Sequence, residues 1–217
     1  MLESRTEPRD GRTSIIVTAE KLFAEYGLHG ISLRQISDAA GQKNTSAIQY
    51  HFGSRDGLVE AVFAHRMSVI NPRRQAALDK LEASGRLGDV RALVSVMVWP
   101  MAEELRPRAE GNHYVQFLNR AMREKHLAVE LTPPELMTAW FSTIEHVRTA
   151  IRYLPDEIVD IRMLLASQQL ISGLAEFEAD GAGETERLDF MVEALIDMIA
   201  SGIAAPVSPT ALAALGG

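Results

Sequence analysis

Apolar positions along this 217-residue chain recur at helical rather than strand spacing. Ile15, Ile16, Ala19, Leu22, Phe23 and Tyr26 share one face of a first helix, and Gly27 ends it. Ser32 followed by Gln35 predicts a capping box, in which each side chain satisfies a backbone N–H that the helix start leaves unpaired. Leu33, Ile36 and Ala40 then line one face, and Gly41 stands where a helix stops in the left-handed conformation. Asn44 or Thr45 can cap the next helix, in which Ala47, Ile48 and Phe52 face inward and Thr45, Ser46, Gln49 and Tyr50 face outward. Ser54 caps a further helix. These short helices are too small to be stable alone, so they are expected to pack around Phe23, Leu33, Ile36 and Ile48.

Beyond Leu58 the pattern predicts helix after helix, with no strand alternation and no internal repeat. Leu58 to Ile70 is interrupted or kinked at Pro72 before Ala76 to Leu81, and Ser84-Gly85 with Gly88 marks a turn. Val90 to Leu105 is broken at Pro100, Gly111-Asn112 opens His113 to Lys125, and Pro133-Pro134 opens Glu135 to Tyr153. Pro155 opens Asp156 to Ala179, Glu184 to Ala200 is the last long helix, and residues 206–217 read as a flexible tail. In the last helix Glu186, Asp189, Glu193 and Asp197 form one narrow acidic stripe amid apolar residues, where a monomer's surface helix would show a wide polar face.

Two short helices joined at a glycine, the second carrying outward hydrogen-bonding side chains, form the pattern by which a helix-turn-helix enters the DNA major groove. The local motifs are Ala19-Glu20-Lys21-Leu22-Phe23-Ala24-Glu25-Tyr26-Gly27, Ile31-Ser32-Leu33-Arg34-Gln35-Ile36, Ala40-Gly41 and Tyr50-His51-Phe52-Gly53-Ser54-Arg55-Asp56-Gly57-Leu58. In this order and spacing, the stretch from Arg12 to Val62 resembles the DNA-binding domain of TetR-type (tetracycline-repressor-like) transcriptional regulators. It departs from that pattern twice. Gln49 stands where members commonly carry Tyr in Tyr-x-His-Phe, and the Gln42-Lys43-Asn44 stretch is one residue longer than the commonest form. The resemblance ends near residue 65.

The expected fold is all-α: a three-helix helix-turn-helix domain, then a larger helical domain of about nine helices. The chain divides into an arm and DNA-binding domain at 1–58, an effector-binding and dimerisation domain at 59–205, and the tail at 206–217.

The net charge of −7 is unusual for a DNA binder, but it is unevenly placed. Residues 1–56 hold seven Lys/Arg and seven Asp/Glu, whereas 57–217 hold 15 and 22. The N-terminal part is therefore neutral. Phosphate contacts must come from local placement of Arg5, Arg9, Arg12, Arg34, Lys43 and Arg55, with the acidic remainder turned away from DNA. Lys43, Arg55 and the helix start at Ser32 are phosphate candidates. Asn44, Thr45, Ser46 and Gln49 are candidates for base edges, while Tyr50 and His51 touch phosphate or brace the helix.

The rest of the chain offers two further candidate sets. Met97, Trp99, Met101, His113, Tyr114, Phe117, Met137, Trp140 and Phe141 suit the lining of a pocket for a small, mostly apolar effector, although a Met and aromatic set at helical spacing is more often plain core, and the pocket reading draws its weight from the family resemblance. Ile161, Leu165, Ile171, Leu174 and Phe177, with Met191, Leu195 and Met198, suit an interface between two copies, the alternative being a buried helix pair within one subunit. Gly173 would permit close approach there. The family resemblance implies both the effector site and a homodimer on a palindromic operator, with repression as the common mode. An effector-independent DNA-binding and dimerising protein is the alternative reading.

No motif supports an enzyme. There is no Gly-rich phosphate loop, no His-Glu-x-x-His and no Gly-x-Ser-x-Gly. The six histidines, at 29, 51, 65, 113, 126 and 146, lack metal-ligand spacing, and Glu103-Glu104 reads as a solvated helix end. No metal or cofactor is expected. The absence of cysteine and of any 18-residue apolar run fits a cytoplasmic protein that does not span a membrane.

Overall fold

The computed structural model describes residues 11–42, 47–106, 112–125, 133–180 and 185–215. Among these residues there is no strand. The α-helices are α1 (Gly11–Tyr26), α2 (Leu33–Ala39), α3 (Ala47–Phe52), α4 (Arg55–Ala83), α5 (Val90–Ala102), α6 (Tyr114–Lys125), α7 (Thr138–Ala150), α8 (Asp156–Ala179), α9 (Thr185–Ala204) and α10 (Pro209–Leu215). The fold is all-α, with a helix-turn-helix region first and a larger helical part after it.

Most starts and stops follow local chemistry. The Asn112 Oδ1 accepts the Tyr114 N–H at 2.9 Å and opens α6. Asp89 opens α5 by accepting the Ala92 N–H at 3.0 Å. The hydrogen bond from Arg86, aided by that N–H, holds the Asp89 carboxyl below the usual carboxylate range. Two expected breaks do not occur: α4 continues through Pro72 and α5 through Pro100. Each proline removes one helix N–H, but the neighbouring Ile70, Asn71 and Arg74, and Val98 and Met101, are buried, so packing on both sides outweighs the lost bond. The stretch expected as a flexible tail contains α10, whose start is capped by the Ser208 hydroxyl accepting the Ala211 N–H at 3.2 Å.

The chain forms two compact units that do not follow chain order. The first takes in α1 to α3, α4 as far as Ser68, and α6. Its core holds Ile15, Phe23, Ile36, Ile48, Val62 and Phe117, all buried. Phe117 of α6 lies 6.1 Å from the Phe23 ring of α1 and 4.9 Å from the Phe63 ring of α4. Beside this cluster is a buried ion pair. Arg66 Nε and Nη2 of α4 donate to the Glu20 carboxylate of α1 at 2.6 and 2.7 Å, and the His113 backbone N–H donates to the same carboxylate at 3.1 Å. Tyr26, placed on the apolar face by its spacing, is exposed instead.

The second unit takes in α4 from Val69, α5, and α7 to α10. Here α5 packs against α7 and α9, and α9 packs against α8. Gly173 of α8 permits that last approach, since a Cβ there would meet Leu195 Cδ1 at 3.0 Å. Asn71 fixes the start of α7 from outside: its Oδ1 accepts the Ala139 N–H and its Nδ2 donates to Thr138 Oγ1, both at 3.2 Å. Glu104 is not a solvated helix end. It is buried and accepts from Arg73 Nη1 at 2.7 Å.

Removing one partner of a buried pair leaves an uncompensated charge. Glu20→Ala is expected to destabilise the first unit by about 3–5 kcal/mol, read as a lower urea midpoint.

Candidate nucleic-acid interface

The helix-turn-helix is built from short-range hydrogen bonds. Ser32 Oγ accepts the Gln35 N–H at 3.2 Å while Gln35 Oε1 accepts the Ser32 N–H at 3.0 Å, completing the expected capping box at the start of α2. At its end Gly41 takes a φ of +69°, and the Gln42 N–H reaches back to the Ser37 carbonyl at 3.0 Å. Ser14 of α1 donates to the Ala40 carbonyl at 3.4 Å, tying the turn to the helix behind it. Ile48 is buried and anchors α3, which leaves Gln49, Tyr50 and His51 outside.

Tyr50 is 84% exposed and meets the His51 ring edge-on at 5.0 Å. A tyrosine so exposed contributes little to the fold, and the adjoining Gln49 and His51 extend the same polar, aromatic edge. Lys43, Asn44, Thr45 and Ser46, also assigned to DNA contact by sequence, lie outside the described residues.

The cations around this edge divide by role. Ser54 Oγ accepts the Gly57 N–H at 3.0 Å and opens α4. The next residue, Arg55, donates from Nη1 to the Leu28 carbonyl at 2.5 Å, with its guanidinium 6.0 Å from the Phe23 ring centroid. Arg12 sits over the Phe52 ring at 5.3 Å. Both therefore brace the bundle. Arg34 is far more exposed and faces Asp38 only at 4.0 Å.

The nine pocket candidates are divided between the units. His113, Tyr114 and Phe117 belong to the first, where Tyr114 and Phe117 pack in the aromatic core. Met97, Trp99, Met101, Met137, Trp140 and Phe141 belong to the second. There the Arg74 guanidinium lies 5.1 Å from the Trp140 ring centroid and donates to the Met97 carbonyl at 3.4 Å. Trp99 donates its indole N–H to Glu193 at 2.9 Å.

That bond explains the acidic stripe of α9. Glu193 and Asp197 each accept from Arg91 at 2.7 Å, and Asp189 accepts from Arg106 at 2.9 Å. The stripe thus meets cations brought from α5 and from the turn after it.

The eight candidates for an interface between copies also divide. Ile171, Leu174 and Leu195 are buried inside the chain, so they serve its own core. Phe177 and Met191 are partly buried. Ile161, Leu165 and Met198 are exposed, as is Leu164 of the same apolar run, and the structure adds Phe190, which is 74% exposed. Phe190 was legible as the first of a row with Ala194 and Met198 at four-residue spacing.

Comparison with known proteins finds a likeness within the first unit. The family model described as "Bacterial regulatory proteins, tetR family" matches residues 15–62, from within α1 into the first turns of α4. Residues 15–62 are thus similar to the tetR family, a stretch well short of half the chain. The HTH-type transcriptional repressor AcnR of Corynebacterium glutamicum is 36% identical over 56 residues, which is 26% of this chain and 29% of that repressor's length. Two solved structures share the fold over most of the chain. A tetR family transcription regulator structure from Shewanella sp. PV-4 matches with a TM-score of 0.62 at 19% identity, covering 88% of this chain and 96% of that one. The fatty acid degradation regulator FadR from Bacillus halodurans matches with a TM-score of 0.59 at 13% identity, covering 90% and 99%.

The tetR-type bundle makes Arg55 and Arg34 separable. Arg55→Ala is expected to lower the urea midpoint, by about 1–2 kcal/mol of stability for a charged hydrogen bond to a carbonyl. Arg34→Ala should leave that midpoint within experimental scatter.

Proposed function

We propose that this chain is a DNA-binding transcriptional regulator that works as a homodimer on a palindromic or near-palindromic operator. The observation that carries this reading is the exposed edge of Gln49, Tyr50 and His51, projected by a capped helix-turn-helix inside the stretch that matches the family. Ile48 and Phe52 hold the inner side of this helix, and among the described residues of the single chain the outer edge has no partner to pack on. In a major groove it supplies hydrogen-bonding groups for base edges.

In this reading residues 1–58 bind DNA, with Asn44, Thr45, Ser46 and Gln49 on base edges. Lys43, Arg34 and the Ser32 helix start meet phosphates, while Arg55, a phosphate candidate by sequence, is committed to the Leu28 carbonyl, and Tyr50 and His51 meet phosphate or brace the helix. Residues 59–205 dimerise and take a small, mostly apolar effector. The exposed row of Ile161, Leu164, Leu165, Phe190 and Met198 supports the dimer, because an apolar patch of this kind marks an association surface. Pairing sets two recognition helices roughly 34–36 Å apart, or at a multiple of that spacing, on one duplex face. An effector that favours a wider dimer would release the operator. Repression is supported by the partial match to AcnR, and the cytoplasm is the proposed location. No single helix among the described residues is long and apolar enough to cross a membrane.

Selection of bound duplexes from random DNA is expected to return a motif with two-fold half-site symmetry. Against that operator, Lys43→Ala should weaken binding to all sequences and flatten the salt dependence by about one unit in log–log slope. Gln49→Ala should relax preference at one base pair. Two variants that bind like the parent would remove α3 from the interface. Phe190→Glu should yield monomers by sedimentation and lose operator affinity with them.

A further inference from the structure

The helix α3 is six residues long, Ala47–Phe52. A helix this short cannot set its own direction, so its contacts must do so. Ile48 is buried and supplies one of them. Phe52, one turn on, supplies another and is held from two sides. Its carbonyl accepts the Ser54 N–H at 2.8 Å, and it lies so close to Gly57 of α4 that a Cβ there would clash with it. Its ring lies under the Arg12 guanidinium of α1, 5.3 Å from the centroid.

The first turn of α1 touches both helices of the helix-turn-helix. Ser14 donates to the Ala40 carbonyl at the end of α2, and Gln42 Nε2 donates to the same carbonyl at 3.3 Å. The Gln42 side chain also lies against Gly11, where a Cβ would meet its Oε1 at 3.5 Å. Arg12, between Gly11 and Ser14, reaches α3 instead. From Phe52 the rings continue outward, with His51 at 5.9 Å and Tyr50 a further 5.0 Å from His51. A rotation of Phe52 therefore carries the exposed edge with it. Arg12 itself is exposed and precedes the stretch 15–62, so neither burial nor the family likeness accounts for its placement.

We propose that Arg12 is a positioning residue for DNA reading: its guanidinium on the Phe52 ring fixes the angle at which α3 presents Gln49, Tyr50 and His51 to base edges. The inference rests on the proposed entry of α3 into a groove, and it replaces the phosphate contact that the sequence suggested for Arg12. A guanidinium suits the task because it is planar and weakly hydrated, and so can stay on a ring in contact with water. In a symmetric dimer the contact acts twice, so a modest interaction per half-site is squared in the affinity for the operator.

The test measures affinity for the operator returned by duplex selection and for a scrambled duplex of equal length, across a salt series. The proteins are the parent, Arg12→Ala, Arg12→Lys, Phe52→Leu, Phe52→Tyr and the Arg12→Ala/Phe52→Leu pair. Arg12→Ala and Phe52→Leu are each expected to cut the operator-to-scrambled ratio about tenfold, the effect of losing one exposed cation–π contact per half-site. The pair should lose no more than either change alone. Arg12→Lys and Phe52→Tyr, which keep a cation and a ring, should retain most of the ratio, and the salt slope of Phe52→Leu should stay with the parent. Without DNA, amide exchange at Gly53, whose N–H donates to the Gln49 carbonyl at 3.1 Å, should quicken in Arg12→Ala while that at Ala40 of α2 does not change. An Arg12→Ala variant that weakens operator and scrambled duplex alike and flattens the salt dependence by about one unit, with Phe52→Leu like the parent, overturns the positioning role in favour of a phosphate contact. A parent preference for operator that Arg12→Ala retains in full overturns this inference and leaves the DNA-binding reading standing. A parent with no preference between the two duplexes overturns both.

Discussion

The buried carboxylate of Glu20 constrains the first unit more than any other group. An ionised carboxylate out of water needs its oxygens occupied, and here the occupants come from α4 and from the chain just before α6. Three parts of the sequence separated by tens of residues must therefore be in place together. Phe23, Phe63 and Phe117 close over the same junction, so charge satisfaction and apolar packing specify one arrangement. The exposed edge of α3 depends on it at one remove. Ser14 holds the α2 turn and Arg12 lies over Phe52, and both belong to the helix that Glu20 anchors.

This also shows where sequence reading succeeds and where it stops. Caps and turns are local, and the chemistry of Ser32 with Gln35, Gly41, Asn112 and Ser54 acts within a few residues, so each was legible. The assignment of α6 to the first unit was not. Its apolar positions fit a core, but periodicity tells which residues share a face and not what meets that face. The acidic stripe of α9 is the same case. Spacing put Asp189, Glu193 and Asp197 in line, yet Arg91 and Trp99, nearly a hundred residues earlier, make the line a contact. Pro72 and Pro100 were overread for a related reason. A proline's cost is local and visible, whereas the burial that offsets it is tertiary.

The helices α8 and α9 are apolar on more than one side, and the structure separates the sides. Ile171, Leu174 and Leu195 face the chain's own core, with Gly173 setting how closely the two helices approach. Ile161, Leu164, Leu165, Phe190 and Met198 face out. A helix with a single burial partner has no use for the second face, since each exposed aliphatic or aromatic side chain forgoes the free energy of its transfer from water. The buried-pair reading thus holds for Ile171, Leu174 and Leu195, while the outward residues of the same helices are the ones left for the dimer proposed above.

Electrostatics decide how such a protein would find its site. Residues 12–66 carry few cations, and the structure commits several of them internally. Arg66 serves Glu20, Arg55 serves the Leu28 carbonyl, and Arg12 covers Phe52. Among the described residues of that stretch, Lys21 and Arg34 are left as exposed cations, facing Glu25 at 3.9 Å and Asp38 at 4.0 Å. Counterion release scales with the phosphates neutralised, so a surface with few available cations has weak sequence-independent affinity and a shallow salt dependence. Discrimination must then come from base edges and from the doubling of a weak half-site contact by dimerisation. The neutral balance of residues 1–56, which at first argues against DNA binding, is what a reader relying on groove contacts rather than on charge would be expected to show.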